Sequence, residues 1–329
     1  MSRWAIGIDL GGTAIKAAVV GFQGGIVLER SVPTDTSSGP EGIVSQLSGI
    51  VAALYDEVSD GLGADAFAGT GLGAPGAVDP EEGTLSYPPN LPGWTTFPLR
   101  KALACVLEGT SPGSSPFFIE NDANAAALGE ACYGAGRDFR DFLMVTLGTG
   151  VGGGIVLDRK LYRGAGGGTA GEIGFMIVDF QGPSVHAGIR GTIEGMIGKE
   201  RIVDYAWALI AEDPVSGSHL SGLCRHDRAM LSPRHIEQAA RQGDPLSLAV
   251  WERVGSVLGV GFANVTALMD IRKFVIGGGI AAAGGLIFDP ARQQLLRSTL
   301  PSMHDGIELV PAELGNRAGM HGAAALCFQ

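Results

Sequence analysis

The architecture of the chain is indicated first by the residues Ile6-Gly7-Ile8-Asp9-Leu10-Gly11-Gly12-Thr13. It begins as a short apolar strand that carries one carboxylate, and its glycines then predict a tight turn. Residues 14–20 predict a second strand, and after a glycine-rich turn residues 26–30 predict a third. The same pattern returns at residues 142–157, where a strand runs into Leu147-Gly148-Thr149-Gly150 and a second strand. Two copies of one supersecondary unit predict an α/β protein with two similarly built domains.

Turn-forming residues mark the boundary between these domains. The loop Ser111-Pro112-Gly113-Ser114-Ser115-Pro116 comes directly before an apolar strand at residues 117–119. We therefore predict a smaller N-terminal domain over residues 1–116 and a larger C-terminal domain over residues 117–315. A short apolar helix over about residues 316–329 is expected to pack back on the first domain.

Further elements follow from local signals. Residues 123–132 are rich in alanine and predict a helix, and residues 253–269 predict a long apolar one. Ser232 before Pro233 has the residue types of an N-cap and first helical position. Residues 273–276 predict a strand that ends in Gly277-Gly278-Gly279.

Composition excludes several classes of protein. The 329 residues include 23 Lys and Arg against 34 Asp and Glu, which gives a net charge of −11. We therefore expect no binding to nucleic acid through phosphate contacts. The 45% of apolar residues exclude intrinsic disorder. The four cysteines are scattered, so neither a disulfide framework nor a Cys-based metal site is expected.

The chain shows no sign of insertion into a membrane. The uncharged run at residues 254–269 is shorter than the ~18 residues that span a bilayer, and it predicts a buried helix. The N-terminus enters the first strand without the apolar region of a leader peptide. We expect a cytoplasmic protein.

The two glycine turns have the composition of phosphate-binding loops. Glycine lets backbone N–H groups approach phosphate oxygens, and a threonine hydroxyl adds a donor. Asp9 could hold Mg²⁺ through water. Ordinary hairpins use the same residues, so one turn is weak evidence. Two such turns are stronger evidence, because a triphosphate could be held between them. Neither turn has the spacing of a P-loop, and the Gly-x-Gly-x-x-Gly spacing of a dinucleotide-binding fingerprint does not follow the first strand.

Polar residues cluster at three further places. Glu120-Asn121-Asp122-Ala123-Asn124 separates an apolar strand from the alanine-rich helix. Helix capping by Asn121 or Asp122 explains this cluster, and so does a carboxylate that accepts a hydroxyl proton during phosphoryl transfer. Glu172 and Glu194 stand in glycine-flanked apolar surroundings, where carboxylates could accept hydrogen bonds from a polyol.

Taken together, these motifs resemble the ROK family of sugar kinases and repressors. The resemblance follows the family's order over nearly the whole chain. Besides the motifs already quoted, it is carried by Gly73-Ala74-Pro75-Gly76, Asn90-Leu91-Pro92-Gly93-Trp94, Val151-Gly152-Gly153-Gly154, Gly171-Glu172-Ile173-Gly174 and Leu314-Gly315-Asn316-Arg317-Ala318-Gly319. It implies two ribonuclease-H-like domains of the actin-like ATPase fold, with ATP and Mg²⁺ in the cleft between them.

The resemblance also implies roles for individual residues. Asp122 matches the catalytic base. The sugar-hydroxyl ligands, besides Asp122 itself, are Asn90, Asn121, Glu172 and Glu194. The nucleotide-binding set comprises Asp9, Gly11, Gly12, Thr13, Lys16, Gly148, Thr149, Gly150, Gly277, Gly278 and Gly279. The family is commonly dimeric or tetrameric, which implies a homo-oligomer.

The chain departs from the family at its zinc site. Many members hold a structural zinc with one histidine and three cysteines, and this chain has Phe175, Val185, Ala187 and Thr192 at those positions. Zinc in a tetrahedral site requires thiolates or imidazoles, so no zinc is predicted. His186 lies in the same segment without companions. The loss puts the identity of the sugar in doubt, because the missing histidine usually contacts it.

The favoured function is the transfer of the ATP γ-phosphoryl group to a hexose hydroxyl, with glucose 6-phosphate as the first choice of product. Fructose, mannose, N-acetylmannosamine or a cyclitol are alternative acceptors. A sugar-sensing repressor of the same family is a further alternative, but the first strand begins within ten residues of the N-terminus, so no DNA-binding module is expected. A catalytically silent sugar-binding protein is the remaining alternative.

Overall fold

The structure is a computed structural model that describes residues 3–166, 168–184, 188–212, 219–224 and 227–329. The chain divides into two compact units. The first comprises Met1–Met144, Gly154–Gly171 and Ala312–Gln329, and the second comprises Val145–Gly153 and Glu172–Pro311. This division differs from the predicted boundary at residue 116, because the strand that follows residue 116 pairs with a strand of the first unit.

The secondary structure follows the order of a mixed α/β protein. The strands are β1 (Trp4–Leu10), β2 (Ala14–Gly21), β3 (Ile26–Pro33), β4 (Phe67–Ala74), β5 (Ala77–Asp79), β6 (Thr84–Ser86), β7 (Thr96–Phe97), β8 (Phe117–Asn121), β9 (Phe142–Leu147), β10 (Val151–Leu157), β11 (Lys160–Tyr162), β12 (Lys273–Gly277) and β13 (Glu308–Pro311). The helices are α1 (Gly39–Leu62), α2 (Leu99–Leu107), α3 (Asp122–Tyr133), α4 (Ile193–Ile197), α5 (Lys199–Glu212), α6 (His219–Cys224), α7 (Pro233–Arg241), α8 (Pro245–Met269), α9 (Gly285–Arg297) and α10 (Ala318–Leu326).

Two five-stranded sheets repeat one strand order. The first has the order β3-β2-β1-β4-β8 and the second the order β11-β10-β9-β12-β13. In the first sheet β1, β2 and β3 are antiparallel neighbours, whereas β4 runs parallel to both β1 and β8. The repeated order confirms the internal repeat predicted from the two glycine turns. A small antiparallel sheet of β5, β6 and β7 lies in the first unit.

The first sheet buries both faces because side chains alternate along each strand. On β1, Trp4, Ile6 and Ile8 belong to a core cluster that includes side chains of α1. Ala5 on the same strand packs with Met320 and Ala324 of α10. The C-terminal helix therefore packs on the sheet that begins at the N-terminus.

The second unit contains the longest helix, α8, whose start differs from the prediction. The apolar pattern predicted residues 253–269, but the helix begins at Pro245 because Asp244 caps it and accepts a hydrogen bond from Ser247 N at 2.8 Å. Among the described residues, α8 is the one helix long and apolar enough to cross a bilayer, and 61% of its most apolar window is buried. Phe262, for example, stacks on Phe274 with ring centroids 4.3 Å apart. This burial is typical of a core helix.

The cap predicted at Ser232 is confirmed. Its side chain accepts a hydrogen bond from His235 N at 3.3 Å, and Pro233 is the first residue of α7. The hydroxyl thus satisfies one of the amide groups that have no partner within the first turn of a helix.

Replacing Gly49 by Ala is expected to stabilise the protein by about 0.5–1 kcal/mol. Gly49 is exposed in the middle of α1, and a Cβ there meets nothing within 4 Å. Glycine in a helix interior is less favourable than alanine by about this amount, because it has more backbone freedom to lose. Urea unfolding measures the change, and an unchanged or lower free energy of unfolding contradicts it.

Candidate active site

Three parallel strands of the first unit end at one edge of the sheet. Asp9 on β1 pairs with Gly73 on β4, and Gly73 pairs with Glu120 on β8. Neighbouring strands lie about 4.8 Å apart, so Asp9 and Glu120 are about 10 Å apart along the edge. Ligands of open α/β sheets commonly bind at the carboxyl ends of such strands. The structure therefore brings Asp9 and the cluster at residues 120–124 to one edge.

The start of α3 positions Asn121 and Asp122. Asn121 is the N-cap, and its Oδ1 accepts hydrogen bonds from Ala123 N at 2.9 Å and Asn124 N at 3.1 Å. Its Nδ2 donates to Gly76 O at 3.1 Å. The capping interpretation is thus correct for Asn121, and its side chain keeps one amide hydrogen for a ligand.

Asp122 is the first residue of the helix and is half-buried. Its Oδ1 accepts a hydrogen bond from Ala123 N at 2.8 Å. The carboxylate therefore lies near the positive end of the helix dipole, where a negative charge is stabilising. The local structure thus places the Asp122 side chain at the N-terminus of α3, directly after the carboxyl end of β8.

Glu120, next to Asn121 in the chain, forms an ion pair with Arg163. Glu120 is fully buried, and its Oε2 accepts a hydrogen bond from Arg163 Nε at 2.6 Å. Its Oε1 accepts hydrogen bonds from Asn121 N at 3.0 Å and Asn124 Nδ2 at 3.1 Å. Glu120 is not among the predicted site residues, although its place at the end of an apolar strand is a signal in the sequence. Arg163 is 43 residues away, so no local pattern could predict this pairing.

The first glycine turn contacts a predicted sugar ligand. A Cβ on Gly12 would lie 2.7 Å from the Cβ of Asn90, so only glycine fits here. Asn90 has a φ of 65°, a left-handed conformation that asparagine adopts more readily than most residues. Among the described residues, the amide N–H groups of Gly12 and Thr13 have no hydrogen-bond acceptor. Such amides suit a phosphate oxygen.

Asp9 and Lys16 form an ion pair beside this turn. Lys16 Nζ lies 3.8 Å from Asp9 Oδ2 across the β1–β2 hairpin. Burial raises the pKa of Asp9 above its ordinary value, and the charge of Lys16 acts against this shift. Within the described part of the chain, no group of three or more His, Cys, Asp or Glu side chains could hold a metal ion. A single carboxylate at this position fits Mg²⁺, which keeps most of its water ligands.

The second unit gathers another set of predicted residues. Gly148, Thr149 and Gly150 form the turn between β9 and β10. Glu194, at the start of α4, accepts a hydrogen bond from Val151 N at 2.9 Å. A Cβ on Gly278 would lie 2.6 Å from Leu147 N, so the turn after β12 lies against the end of β9. Gly277 and Gly279 flank Gly278 in that turn.

Glu172 lies near Glu194 in this unit. Loss of hydration, and then the negative charge of Glu194, raise the pKa of Glu172 above its ordinary value. The side chain nevertheless keeps part of its surface exposed. Two neighbouring carboxylates offer several acceptor oxygens to the hydroxyl groups of a polyol.

The positions of the family's zinc ligands are partly described. Thr192 is buried and caps α4, accepting a hydrogen bond from Gly195 N at 3.0 Å. Phe175 is exposed. Val185, His186 and Ala187 lie outside the described residues, and the absence of zinc stays a prediction.

Comparison with known proteins gives one consistent result. A model of the ROK family matches residues 5–329. The glucokinase of Halalkalibacterium halodurans is 34% identical over 333 residues, covering 99% of this chain and 96% of that protein.

Solved structures agree. The ROK family glucokinase from Streptomyces griseus, crystallised with glucose and AMPPNP, has a TM-score of 0.79 and 34% identity, with 98% of each chain covered. A ROK family transcriptional regulator, a homologue of the E. coli MLC protein, has a TM-score of 0.85 and 25% identity, covering 100% of this chain and 78% of the regulator. These matches confirm the predicted α/β, actin-like fold class.

Proposed function

This chain belongs to the ROK family, and on that premise we propose that it is a cytoplasmic, ATP-dependent sugar kinase with glucose as the favoured acceptor. The proposal is supported mainly by the arrangement of residues at the carboxyl ends of β1, β4 and β8 in the first sheet. There a helix N-terminus presents the Asp122 carboxylate two strands away from Asp9 and its glycine turn. A base and a phosphate-binding turn at one edge fit phosphoryl transfer to an alcohol.

Asp122 accepts the proton of the sugar hydroxyl as that oxygen attacks the γ-phosphorus. The oxygen–phosphorus bond to the sugar forms while the bond to the leaving ADP oxygen breaks. The proton passes to the Asp122 carboxylate at the N-terminus of α3.

The sugar is held by groups of both hydrogen-bonding types. Glu172 and Glu194 accept hydrogen bonds from hydroxyl groups of the sugar. The side-chain amide of Asn90 and the remaining amide hydrogen of Asn121 donate hydrogen bonds to its oxygen atoms. Carboxylate acceptors orient a hydroxylated ring strongly, because hydrogen bonds to charged groups are stronger than those between neutral groups.

The nucleotide is held mainly by backbone groups. The amides of Gly12 and Thr13 donate to phosphate oxygens, with the turn at Gly148, Thr149 and Gly150 as the second cradle. The turn at residues 277–279 lies beside the adenosine. Bound Mg²⁺ would neutralise charge on the phosphates, with Asp9 holding its water ligands and Lys16 adding a positive charge.

A coupled assay of ADP release across glucose, fructose, mannose, N-acetylmannosamine and a cyclitol tests this proposal. We expect the highest kcat/KM with glucose and little ADP without sugar. Sugar binding without turnover on any acceptor would reject the kinase in favour of a sugar-sensing regulator; one of the structural relatives is a ROK family transcriptional regulator.

Replacing Lys16 by Met is expected to move the acid limb of the pH–rate profile to higher pH. Asp9 must be ionised to act, so activity falls as the pH drops through its pKa. Burial already raises this pKa, and removal of the opposing Lys16 charge raises it further. Lys16→Arg keeps the charge and serves as the control. A Lys16→Met profile with an unchanged or lower acid midpoint contradicts the role of Asp9.

A further inference from the structure

Glu194 supports the backbone of the second glycine turn. Its Oε2 accepts the hydrogen bond from Val151 N, the first amide after the turn. On the other side of the turn, Thr149 O accepts a hydrogen bond from Lys199 N at 3.3 Å. Helix α4 and the start of α5 thus each make one hydrogen bond to this segment. The bond from Glu194 is made by a side chain, whereas the bond from Lys199 is made by the backbone.

The glycine at position 150 is what lets this carboxylate reach the turn. A Cβ on Gly150 would overlap Oε2 of Glu194, whereas a Cβ on Gly148 meets nothing within 4 Å. Neither glycine has a positive φ, so backbone conformation does not require glycine at either position. The Glu194 carboxylate therefore occupies the space beside Gly150, whereas the space beside Gly148 is open.

Within the described part of the chain, the other oxygen of Glu194, Oε1, has no hydrogen-bond partner and is available to a ligand. The neighbouring Glu172 has a raised pKa partly because of the charge of Glu194, which places the two carboxylates within electrostatic reach. A sugar hydroxyl that donates to Glu194 would therefore restrain the same side chain that holds Val151 N.

We propose that Glu194 is a positioning residue for the second phosphate-binding turn, in addition to its role as a sugar ligand. The inference rests on the proposed function. Sugar binding fixes the Glu194 carboxylate, and the fixed carboxylate orders the turn that receives the nucleotide phosphates. By thermodynamic reciprocity, changes in the turn alter the affinity for sugar even in the absence of nucleotide.

Amide hydrogen exchange of the unliganded protein tests the support directly. Glu194→Ala should speed exchange in peptides that contain Val151 about tenfold, the effect of losing one hydrogen bond to a charged acceptor. Glu194→Gln keeps an acceptor oxygen but loses the charge, so its exchange rate should lie between those of the wild type and Glu194→Ala. Equal exchange in Glu194→Ala and wild type would overturn the proposal.

Sugar binding without nucleotide, measured by calorimetry with glucose, tests the coupling. Gly150→Ala displaces a flexible carboxylate rather than backbone, so the chain folds and its affinity for glucose should fall about tenfold. Gly222→Ala, in α6 of the same unit, adds the same methyl group where it meets nothing within 4 Å, so it is the matched control and should leave glucose affinity unchanged. Wild-type affinity in Gly150→Ala, or an equal loss in both variants, would overturn the coupling.

Failure of the proposed function gives a different result. Should wild-type protein bind none of the sugars of the panel, the kinase proposal fails, and the role of Glu194 as a sugar ligand fails with it. Normal glucose phosphorylation by the wild type together with unchanged amide exchange in Glu194→Ala would support the kinase function and reject only the positioning role of Glu194. The affinity for AMPPNP without sugar adds a third measurement, which should fall in Glu194→Ala and recover in Glu194→Gln.

Discussion

Asp122→Asn is expected to lower kcat for sugar phosphorylation by about 10²–10⁴-fold, the usual contribution of a general base. The amide has nearly the shape of the carboxylate but cannot take up the proton of the sugar hydroxyl. Its oxygen can still accept the hydrogen bond from Ala123 N that Oδ1 accepts in the wild type. Steady-state kinetics with saturating ATP and glucose measures the loss.

The loss must not come from unfolding. Removing one negative charge from the first turn of a helix costs about 0.3–1 kcal/mol, so the variant should remain folded. The KM for the sugar should change far less than kcat, since the proton moves only in the transition state. Asp138→Asn, an exposed aspartate in the same unit, is the matched control with unchanged kcat. Turnover of Asp122→Asn within threefold of wild type would reject Asp122 as the base.

Gly71→Ala is expected to lower the free energy of unfolding by about 1–3 kcal/mol or more. A Cβ on Gly71, in β4, would overlap the carbonyl oxygen of Ala323 in α10. Neither partner is a flexible side chain, so the helix itself must move away from the sheet, and overpacking of this kind costs about 1–3 kcal/mol or more. Urea unfolding measures the change.

Gly49→Ala is the matched control for this prediction, because the same added methyl group meets open space there. The two substitutions should change stability in opposite directions. A Gly71→Ala protein as stable as the wild type would contradict the close contact between Gly71 of β4 and Ala323 of α10.

Local signals in the sequence predicted much of the fold. The two glycine-turn hairpins and the Ser232 cap depend on residues close together in the chain, and the structure has them where they were predicted. The predicted helix begins at Arg253, whereas α8 begins eight residues earlier, at Pro245. Here Asp244 as a cap determines the start, rather than the hydrophobic pattern.

Contacts between residues far apart in the chain could not be predicted from local sequence patterns. The burial of Glu120 depends on Arg163, and the contact of Asn90 with Gly12 joins positions on different elements. Likewise, Glu194 was predicted only as a sugar ligand, because its bond to Val151 appears only once α4 and the β9–β10 turn are folded together. Residue types therefore indicated which groups matter, and packing determines what each group touches.

The central claim, phosphoryl transfer from ATP to a sugar, is tested most directly by ³¹P nuclear magnetic resonance of the reaction products. Wild-type protein with Mg²⁺, ATP and glucose should give ADP and a phosphomonoester of the sugar in equal amounts, and Asp122→Asn should give neither at a comparable rate. Formation of ADP with inorganic phosphate alone, or of no ADP with any sugar of the panel, would contradict it.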